Sequence, residues 1–310
     1  MSIAVLLPCY NEELTIGKVV REFRQHLPTA TVYVFDNNSK DRTAEIARAA
    51  GAHVVPSPIQ GKGNVVRHMF ETVDADIYVM ADGDDTYPPE FAPGLIREQL
   101  DSGADMVVGT RLTHHHDQAF PALHGFGNKL ISGLIAMMFS SSVTDVLSGY
   151  RVFSRNFIRS VYLEASGFEI ETELTLQALV KNLTIREITV RYDNRPEGSD
   201  SKLDTFSDGA RILRAIFMLF KEYKPFVFFT TISVICFIAG LIVGWFPIKD
   251  YIETNYVSHV PLALLAASLE ILAVLCFGIG LILNSIIRSR FETLDTMKKL
   301  FRHIDKLKQQ

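Results

Sequence analysis

The first 110 residues alternate between short apolar runs and longer segments in which apolar residues recur at helical spacing. The short runs have the length and composition of buried strands, and the longer segments have the period of amphipathic helices. Regular alternation of this kind predicts a doubly wound, mostly parallel α/β sheet. The strands are predicted at residues 3–8, 31–36, 53–56, 77–81 and 106–109, and the helices at 13–26, 43–50, 63–73 and 90–102.

The pattern changes after Pro225, where two long apolar stretches follow each other closely. Residues 225–246 contain no charged side chain, and residues 261–287 contain only Glu270. About 20 apolar residues are enough for a helix to span a bilayer. The chain is therefore expected to end in a two-helix transmembrane hairpin, with a pair of buried helices in a large soluble core as the alternative.

Basic residues flank the two apolar stretches, whereas Lys249 is the only lysine or arginine between them. The positive-inside rule then places both termini in the cytoplasm. We expect a multi-pass protein of the inner (cytoplasmic) membrane, and Glu270 suggests contact between copies in a homo-oligomer. The predicted parts are a cytosolic catalytic domain (1–207), an amphipathic juxtamembrane helix (208–224), transmembrane helices (225–246 and 261–287), an external linker (247–260) and a cytosolic helical tail (288–310).

Charge and motif content exclude several classes of protein. The formal net charge of −4 argues against a nucleic-acid binder, because such domains are usually basic. The three cysteines are far apart, so neither a disulfide framework nor a cysteine metal site is indicated. No GxGxxG follows the first strand and no GxxxxGK[ST] occurs, which disfavours a dinucleotide-binding domain and a P-loop NTPase.

Polar clusters stand where the predicted strands end, at residues 10–13, 36–39 and 82–85. Ligands of doubly wound folds bind beyond the carboxyl ends of the strands. The third cluster brings Asp82, Asp84 and Asp85 together directly after an apolar strand. Hard oxygen ligands on a short loop suit Mg²⁺ or Mn²⁺ bridging a diphosphate. A solvated acidic turn is the alternative interpretation.

The motifs PCYNEE (8–13), DNNSKDRT (36–43), GKGN (61–64) and the acidic loop resemble the nucleotide-sugar half of family 2 glycosyltransferases, which have the inverting GT-A fold. Four later motifs resemble the dolichyl-phosphate mannose synthase and bacterial GtrB-like subgroup. These are GTR (109–111), DVLSGYR (145–151), GFEIETE (167–173) and RPEGSDSK (195–202).

The resemblance implies an enzyme of the GT-A type and a reaction at the cytoplasmic face of the membrane. The reaction would be the metal-dependent, inverting transfer of a sugar from a nucleotide-sugar to polyprenyl (undecaprenyl or dolichyl) phosphate. A UDP-sugar is favoured as donor, GDP-mannose remains open, and the cofactor would be Mg²⁺ or Mn²⁺. The phosphate of the acceptor is already anionic near neutral pH, so no strong general base is needed.

The resemblance also assigns roles to individual residues. Asp84 would act in catalysis, with Glu171 and Glu173 orienting the acceptor. Asp82 and Asp84 would hold the metal, and Thr86 occupies the position, two residues after the second acid, where the related synthases place a glutamine ligand. The donor would be bound by Pro8, Tyr10, Glu12, Asp36, Lys62 and Asp82, and the acceptor phosphate by Arg111, Lys129, Arg151, Arg195, Ser201 and Lys202.

Several of these residues have a second interpretation. Arg151 would brace Asp145, the two glutamates would be ordinary helix N-terminal acids, and His124 would replace Lys129. The run His114–His116 reads more readily as a solvated loop than as a metal site.

Two other functions remain open from the sequence. One is a glycosyltransferase acting on a hydroxyl acceptor such as a glycolipid, and the other is a non-catalytic sugar-nucleotide sensor. A processive polysaccharide synthase is disfavoured because its QxxRW motif is absent and the single tryptophan, Trp245, lies in an apolar stretch.

Overall fold

The computed structural model describes residues 1–111, 143–196 and 224–308, together with positions 132–133, 135–136, 139, 214, 217–218 and 220–221. Side chains are described as far as residue 289. The chain divides into two compact units, Met1–Ile216 and Phe217–Gln310.

The first unit is an α/β unit whose elements follow the predicted alternation closely. Its strands are β1 (Ile3–Cys9), β2 (Thr31–Asp36), β3 (His53–Pro56), β4 (Ile77–Met80), β5 (Met106–Thr110), β6 (Arg151–Ser154) and β7 (Ile185–Thr189). Its helices are α1 (Ile16–His26), α2 (Thr43–Ala49), α3 (Lys62–Thr72), α4 (Ala92–Ser102), α5 (Arg155–Ser160) and α6 (Ile170–Val180), with a 3₁₀ turn at Pro89–Phe91 before α4.

The seven strands form one sheet in the order β3-β2-β1-β4-β6-β5-β7. Strand β6 runs antiparallel to its neighbours β4 and β5, and the other pairs are parallel. The predicted doubly wound, mostly parallel sheet is thereby confirmed. Strands were predicted only as far as residue 109, so β6 and β7 were not predicted.

Hydrophobic side chains pack in two layers, one on each face of the sheet. One layer contains the buried stripe of α1, in which Ile16, Val19, Val20 and Phe23 recur at helical spacing. The other contains Val65, Val66 and Met69 of α3 together with residues of α5 and α6. The two layers hold the strands rigidly, so that the loops at the carboxyl edge start from defined positions.

The second unit contains two long helices, α7 (Pro225–Thr254) and α8 (Val260–Lys308). Both are long and apolar enough to cross a membrane. They pack side by side through small residues. Ser233 donates a hydrogen bond across the pair to the carbonyl of Ala273 at 2.8 Å, and Gly240 faces the carboxylate of Glu270 so closely that a Cβ atom would lie 2.5 Å from Glu270 Oε1.

Both helices extend beyond the predicted membrane spans. Helix α7 continues past Pro247 to Thr254, and residues 255–259 connect it to α8. A proline removes one backbone donor, and a hydrophobic helix tolerates that loss. Helix α8 continues without a break beyond residue 287 to Lys308. The predicted juxtamembrane helix at 208–224 lies largely outside the described residues.

We predict that Gly240→Ala destabilises the hairpin, because the added methyl group collides with the carboxylate of Glu270. The matched control is Gly278→Ala, in the other helix, where a Cβ atom would meet nothing within 4 Å. Thermal unfolding of the purified protein in detergent measures both. The first variant should unfold at a lower temperature and the second should match or exceed the parent. Equal melting temperatures for the two variants would contradict this packing.

Candidate active site

Two loops interlock at the carboxyl ends of β1 and β2. The backbone N–H of Asn11 donates to Ser39 Oγ at 2.9 Å, and the backbone N–H of Lys40 donates to Asn11 Oδ1 at 2.8 Å. The backbone N–H of Glu12 donates to Thr43 Oγ1 at 2.7 Å. Because β1 and β2 are neighbouring parallel strands, this arrangement brings the predicted nucleoside-binding residues Pro8, Tyr10, Glu12 and Asp36 to one edge of the sheet.

Asp36 ends β2, and its atom Oδ1 is buried without a hydrogen-bond partner among the residues that the structure describes. Buried carboxylate oxygens are normally hydrogen-bonded, so such an atom is suited to accept a bond from a ligand. The next residue, Asn37, has a different task. Its amide group donates to the carbonyls of Ser57 and Ile59 at 2.8 and 2.7 Å, and its Oδ1 accepts from the backbone of Gly61 at 2.8 Å.

Asn37 thereby fixes the backbone of Gly61, and the next residue, Lys62, begins α3. Lys62 Nζ lies 2.6 Å from Asp82 Oδ1 and 2.5 Å from Glu171 Oε1, so one ammonium group joins three elements. Burial alone would lower the pKa of Lys62, but the two carboxylates outweigh it and raise this pKa above its ordinary value. Lys62 therefore stays charged at the carboxyl edge of the sheet.

The acidic loop after β4 is held from several sides. Asp82 lies against the backbone of Gly149, where a Cβ atom would come within 2.6 Å of Asp82 Oδ2. The carboxylate of Asp85 forms a separate ion pair, in which its Oδ2 atom lies 2.7 Å from Lys18 Nζ. Thr86 donates its hydroxyl to Asp84 Oδ1 at 2.6 Å. Thr86 thus orients Asp84 in this structure, which is a different task from that of the predicted third metal ligand.

Asp84 is the most enclosed acid of the loop, with 4% of its side chain exposed, and it forms an ion pair with Arg195. Burial and the neighbouring Asp82 raise the pKa of Asp84, while Arg195 and Thr86 favour the charged form and offset part of the rise. A buried carboxylate needs such partners, since an unpaired buried charge is strongly unfavourable. Arg195 follows β7, so the pair joins distant parts of the chain.

Arg111 follows β5 and pairs with Asp145. Its Nε and Nη2 atoms donate to the two carboxylate oxygens of Asp145 at 2.9 and 2.8 Å, in the bidentate geometry that guanidinium groups favour. Burial would raise the pKa of Asp145, but this pairing outweighs it and lowers that pKa. The guanidinium of Arg111 also lies 5.4 Å from the ring centre of Tyr192, and that ring contacts Tyr87. Sequence reasoning missed Tyr192, and only its alternative interpretation considered the bracing of Asp145, which it gave to Arg151 rather than to Arg111.

Arg151 lies in the core and differs from the predicted phosphate ligand. It is completely buried, and its guanidinium donates to the carbonyls of Ser148, Val146 and Glu171 and to the hydroxyl of Thr175. Burial lowers the pKa of Arg151 to about 10. Contact with a bound phosphate would require these bonds to break, so the structure assigns Arg151 a supporting role beneath the site.

The two glutamates of α6 point to different partners. Glu171 contacts Lys62; burial raises the pKa of Glu171, and Lys62 offsets part of that rise. The carboxylate of Glu173 accepts hydrogen bonds from the backbone N–H groups of Glu164 and Ala165 at 2.9 and 2.8 Å. Glu171 thus belongs to the charged cluster of the site, whereas Glu173 holds the loop that packs against the start of α3.

The chemistry of the acidic loop fits a divalent metal. Asp82 and Asp84 are hard oxygen donors two residues apart, and Mg²⁺ is often bound by one or two carboxylates together with substrate phosphates and water. Among the described residues, no group of three or more His, Cys, Asp and Glu side chains forms a closed metal cage. The site is therefore suited to a metal that arrives with, or is completed by, a diphosphate.

Several predicted contacts fall outside the described residues. They are Lys129, Ser201 and Lys202, the alternative His124 and the run His114–His116. The structure brings Lys62 into direct contact with Asp82 and Glu171, and Arg195 into direct contact with Asp84 on the same acidic loop. The roles of all these residues toward a ligand stay predictions.

Comparison with known proteins identifies the family. Residues 4–161 match glycosyl transferase family 2. The chain belongs to this family. It is 30% identical to the glycosyltransferase AglJ of Haloferax volcanii over 302 residues, which cover 96% of this chain and 97% of AglJ. It is also 31% identical to a dolichyl-phosphate hexose transferase of the same organism, over 69% of this chain and 92% of that protein.

The fold has solved counterparts. Glucosyl-3-phosphoglycerate synthase from Mycobacterium tuberculosis, solved with Mn²⁺, UDP and glucosyl-3-phosphoglycerate, matches with a TM-score of 0.59. The match has 24% identity and covers 70% of this chain and 79% of that one. The protein is therefore a glycosyltransferase of the GT-A type, and the relatives support the polyprenyl-phosphate subgroup that its motifs resemble.

We predict that Thr86→Val lowers kcat/KM for sugar transfer about tenfold, the cost of losing a hydrogen bond to a charged group. The variant removes the hydroxyl that orients Asp84 while keeping the shape of the side chain. Thr86→Ser retains the hydroxyl and should restore most of the activity. Steady-state transfer assays at limiting Mn²⁺ measure the effect, and a serine variant as impaired as the valine one would exclude the orienting role.

We predict that Arg151→Lys lowers the free energy of unfolding by about 3 kcal/mol, because one ammonium group cannot replace a buried guanidinium with four partners. The matched control is Arg155→Lys, at a side chain 36% exposed, where we expect a loss of about 1 kcal/mol or less. Denaturant unfolding in detergent distinguishes the two. A stable Arg151→Lys protein that fails only in acceptor binding would restore the predicted phosphate contact.

Proposed function

We propose that this glycosyltransferase transfers a sugar from a nucleotide-sugar to the phosphate of a polyprenyl phosphate, in a metal-dependent, inverting reaction. The observation that carries the proposal is the charged cluster at the carboxyl edge of the sheet. There, two acids suited to a metal stand beside Lys62, Glu171 and Arg195. A reaction between two phosphate-bearing substrates needs carboxylates for a metal and cations that can bind phosphate oxygens, and this cluster contains both.

The donor half of the site supports a nucleotide-sugar. Asp36 would accept a hydrogen bond from the base through its buried Oδ1 atom, for which the described part of the chain offers no partner. Asp82 and Asp84 would hold the metal, which, when bound, acts as a Lewis acid on the departing diphosphate. Lys62 would neutralise further charge there. We favour a UDP-sugar, and the Mycobacterium tuberculosis synthase that shares the fold was solved with UDP and Mn²⁺.

The acceptor half supports an anionic lipid. Arg111 and Arg195 are held by carboxylates, and their guanidinium groups are also suited to bind the oxygens of a phosphate. Phosphate oxygen is a nucleophile near neutral pH without a strong base. The same chain carries two helices suited to a membrane, and one relative is named a dolichyl-phosphate hexose transferase.

In this reaction the side chains of the site would position the two substrates and neutralise their phosphate charges, rather than donate or remove protons. The cations would hold the acceptor oxygen in line behind the anomeric carbon, and a single displacement would invert an α-linked donor. Glu171 would orient Lys62. We place the reaction at the cytoplasmic face of the membrane, with α7 and most of the apolar part of α8 as the spans.

The test is sugar transfer by purified full-length protein in detergent. Radiolabelled UDP- and GDP-sugars would be offered with Mg²⁺ or Mn²⁺ and undecaprenyl phosphate. We expect label from one donor to enter the organic phase, and we expect a loss of about a thousandfold in Asp84→Ala. The matched control is Asp85→Asn, whose partner is Lys18, and it should retain activity within about threefold.

Two outcomes would contradict the proposal. Transfer to a neutral glycolipid but not to the lipid phosphate would indicate a hydroxyl acceptor. Tight binding of a nucleotide-sugar without transfer to either acceptor would indicate a sensor.

A further inference from the structure

The two acids suited to the metal are each covered by a cation from another part of the chain. Asp82 is paired with Lys62, which it shares with Glu171, and Asp84 is paired with Arg195. Clustered carboxylates repel one another, so these cations stabilise the acids at close range. A divalent metal that binds Asp82 and Asp84 must therefore compete with the positive charges of Lys62 and Arg195.

The two cations are held in different ways. Lys62 is 12% exposed, begins a helix and lies against two carboxylates. Arg195 is 28% exposed and stands in a segment without regular secondary structure after β7. That segment is fixed two residues earlier, where the backbone N–H of Asp193 donates to the carbonyl of Thr86 at 3.0 Å. The side chain of Arg195 can therefore leave Asp84 while the segment keeps its anchor on the acidic loop.

The carboxylate of Asp84 cannot bind Arg195 and a divalent metal equally well at the same time. Its Oδ1 atom already accepts from the hydroxyl and the backbone of Thr86, and its Oδ2 atom contacts Arg195. A divalent ion on this carboxylate would stand beside the guanidinium, and like charges at such short range repel strongly in a buried site. A displaced guanidinium would remain next to the metal-bound phosphates, which attract it.

We propose that Arg195 is the resident counter-ion of Asp84, that the divalent metal displaces it, and that the displaced guanidinium then binds the acceptor phosphate. This inference rests on the proposed function for its last step. Its consequence is an order of binding, in which metal and nucleotide prepare the phosphate site. The metal-free enzyme keeps that cation occupied, so it would bind the lipid phosphate weakly.

The first arm of the test needs neither sugar nor lipid. Binding of Mn²⁺ alone to full-length protein in detergent is followed by the electron paramagnetic resonance signal of free Mn²⁺. Arg195→Gln removes the competing charge and should tighten the Kd for Mn²⁺ about fivefold. Arg195→Lys retains the charge and should stay near the parent.

Two control variants distinguish the displacement of Arg195 from a general effect of removing positive charge from the protein. Arg191→Gln alters an exposed arginine on the same segment, which pairs with Glu90 and Asp193. Lys18→Gln removes the cation that pairs with the neighbouring acid Asp85. Neither touches Asp84, and both should leave the affinity for Mn²⁺ within about twofold. An unchanged or weaker affinity in Arg195→Gln, or equal tightening in Lys18→Gln, would overturn the displacement.

The second arm tests the released guanidinium with farnesyl phosphate as the probe. With Mn²⁺ and UDP present, Arg195→Gln should weaken binding of the probe about tenfold, and without metal it should have little effect. The same loss with and without metal would overturn the order of binding. Failure of the proposed function appears separately, as absent transfer by the parent protein whatever the metal-binding result.

Discussion

Concentrated negative charge at the carboxyl edge of the sheet is the constraint to which the rest of the site responds. Asp82, Asp84 and Glu171 approach one another there, with Asp84 and Glu171 almost completely shielded from water. Such a cluster is stable only with cations close by. Lys62 and Arg195 supply them from α3 and from the segment after β7. The ion pairs thereby join four parts of the chain, namely α3, the acidic loop after β4, α6 and the segment after β7, at the place where the ligand is expected.

Backbone packing allows these charges to come so close. Gly61 adopts a φ of 123°, a conformation that side chains rarely permit, and this turn starts α3 with Lys62 facing the acids. The amide of Asn37 secures the turn through the backbone of Gly61. On the other side, Gly149 lets the chain approach Asp82 to a distance that no Cβ atom would tolerate. Glycine and asparagine positions therefore matter to the site as much as its charged residues do.

The elements of the fold could be predicted because each depends on a local pattern. The stripe of Ile16, Val19, Val20 and Phe23 identifies α1 by itself, and the predicted strand at 31–36 coincides with β2. The acids of the site were also predictable, since they directly follow a buried strand. A local sequence pattern does not show which residues from distant parts of the chain contact one another. Strand β6 depends on its pairing with β4 and β5, and the partners of Arg151 come from α6 and from the loop before β6, which no local signal connects.

The three arginines that sequence similarity assigned to the acceptor phosphate show why pairing decides function. Arg151 is fully buried and bonded mainly to carbonyl groups, which are neutral and part of the backbone, so phosphate cannot replace them. Arg111 and Arg195 are more exposed, at 11% and 28%, and each has a carboxylate partner.

A carboxylate is an anion with two oxygens in one plane, as a phosphate offers in bidentate contact. A guanidinium held in this way is already shaped for phosphate and can exchange one anion for another, provided that the released carboxylate finds a new cation. For Asp84 the divalent metal would be that cation. Asp145 is fully buried and closed off from such an exchange, and Arg111 is therefore expected to bind phosphate while keeping its partner.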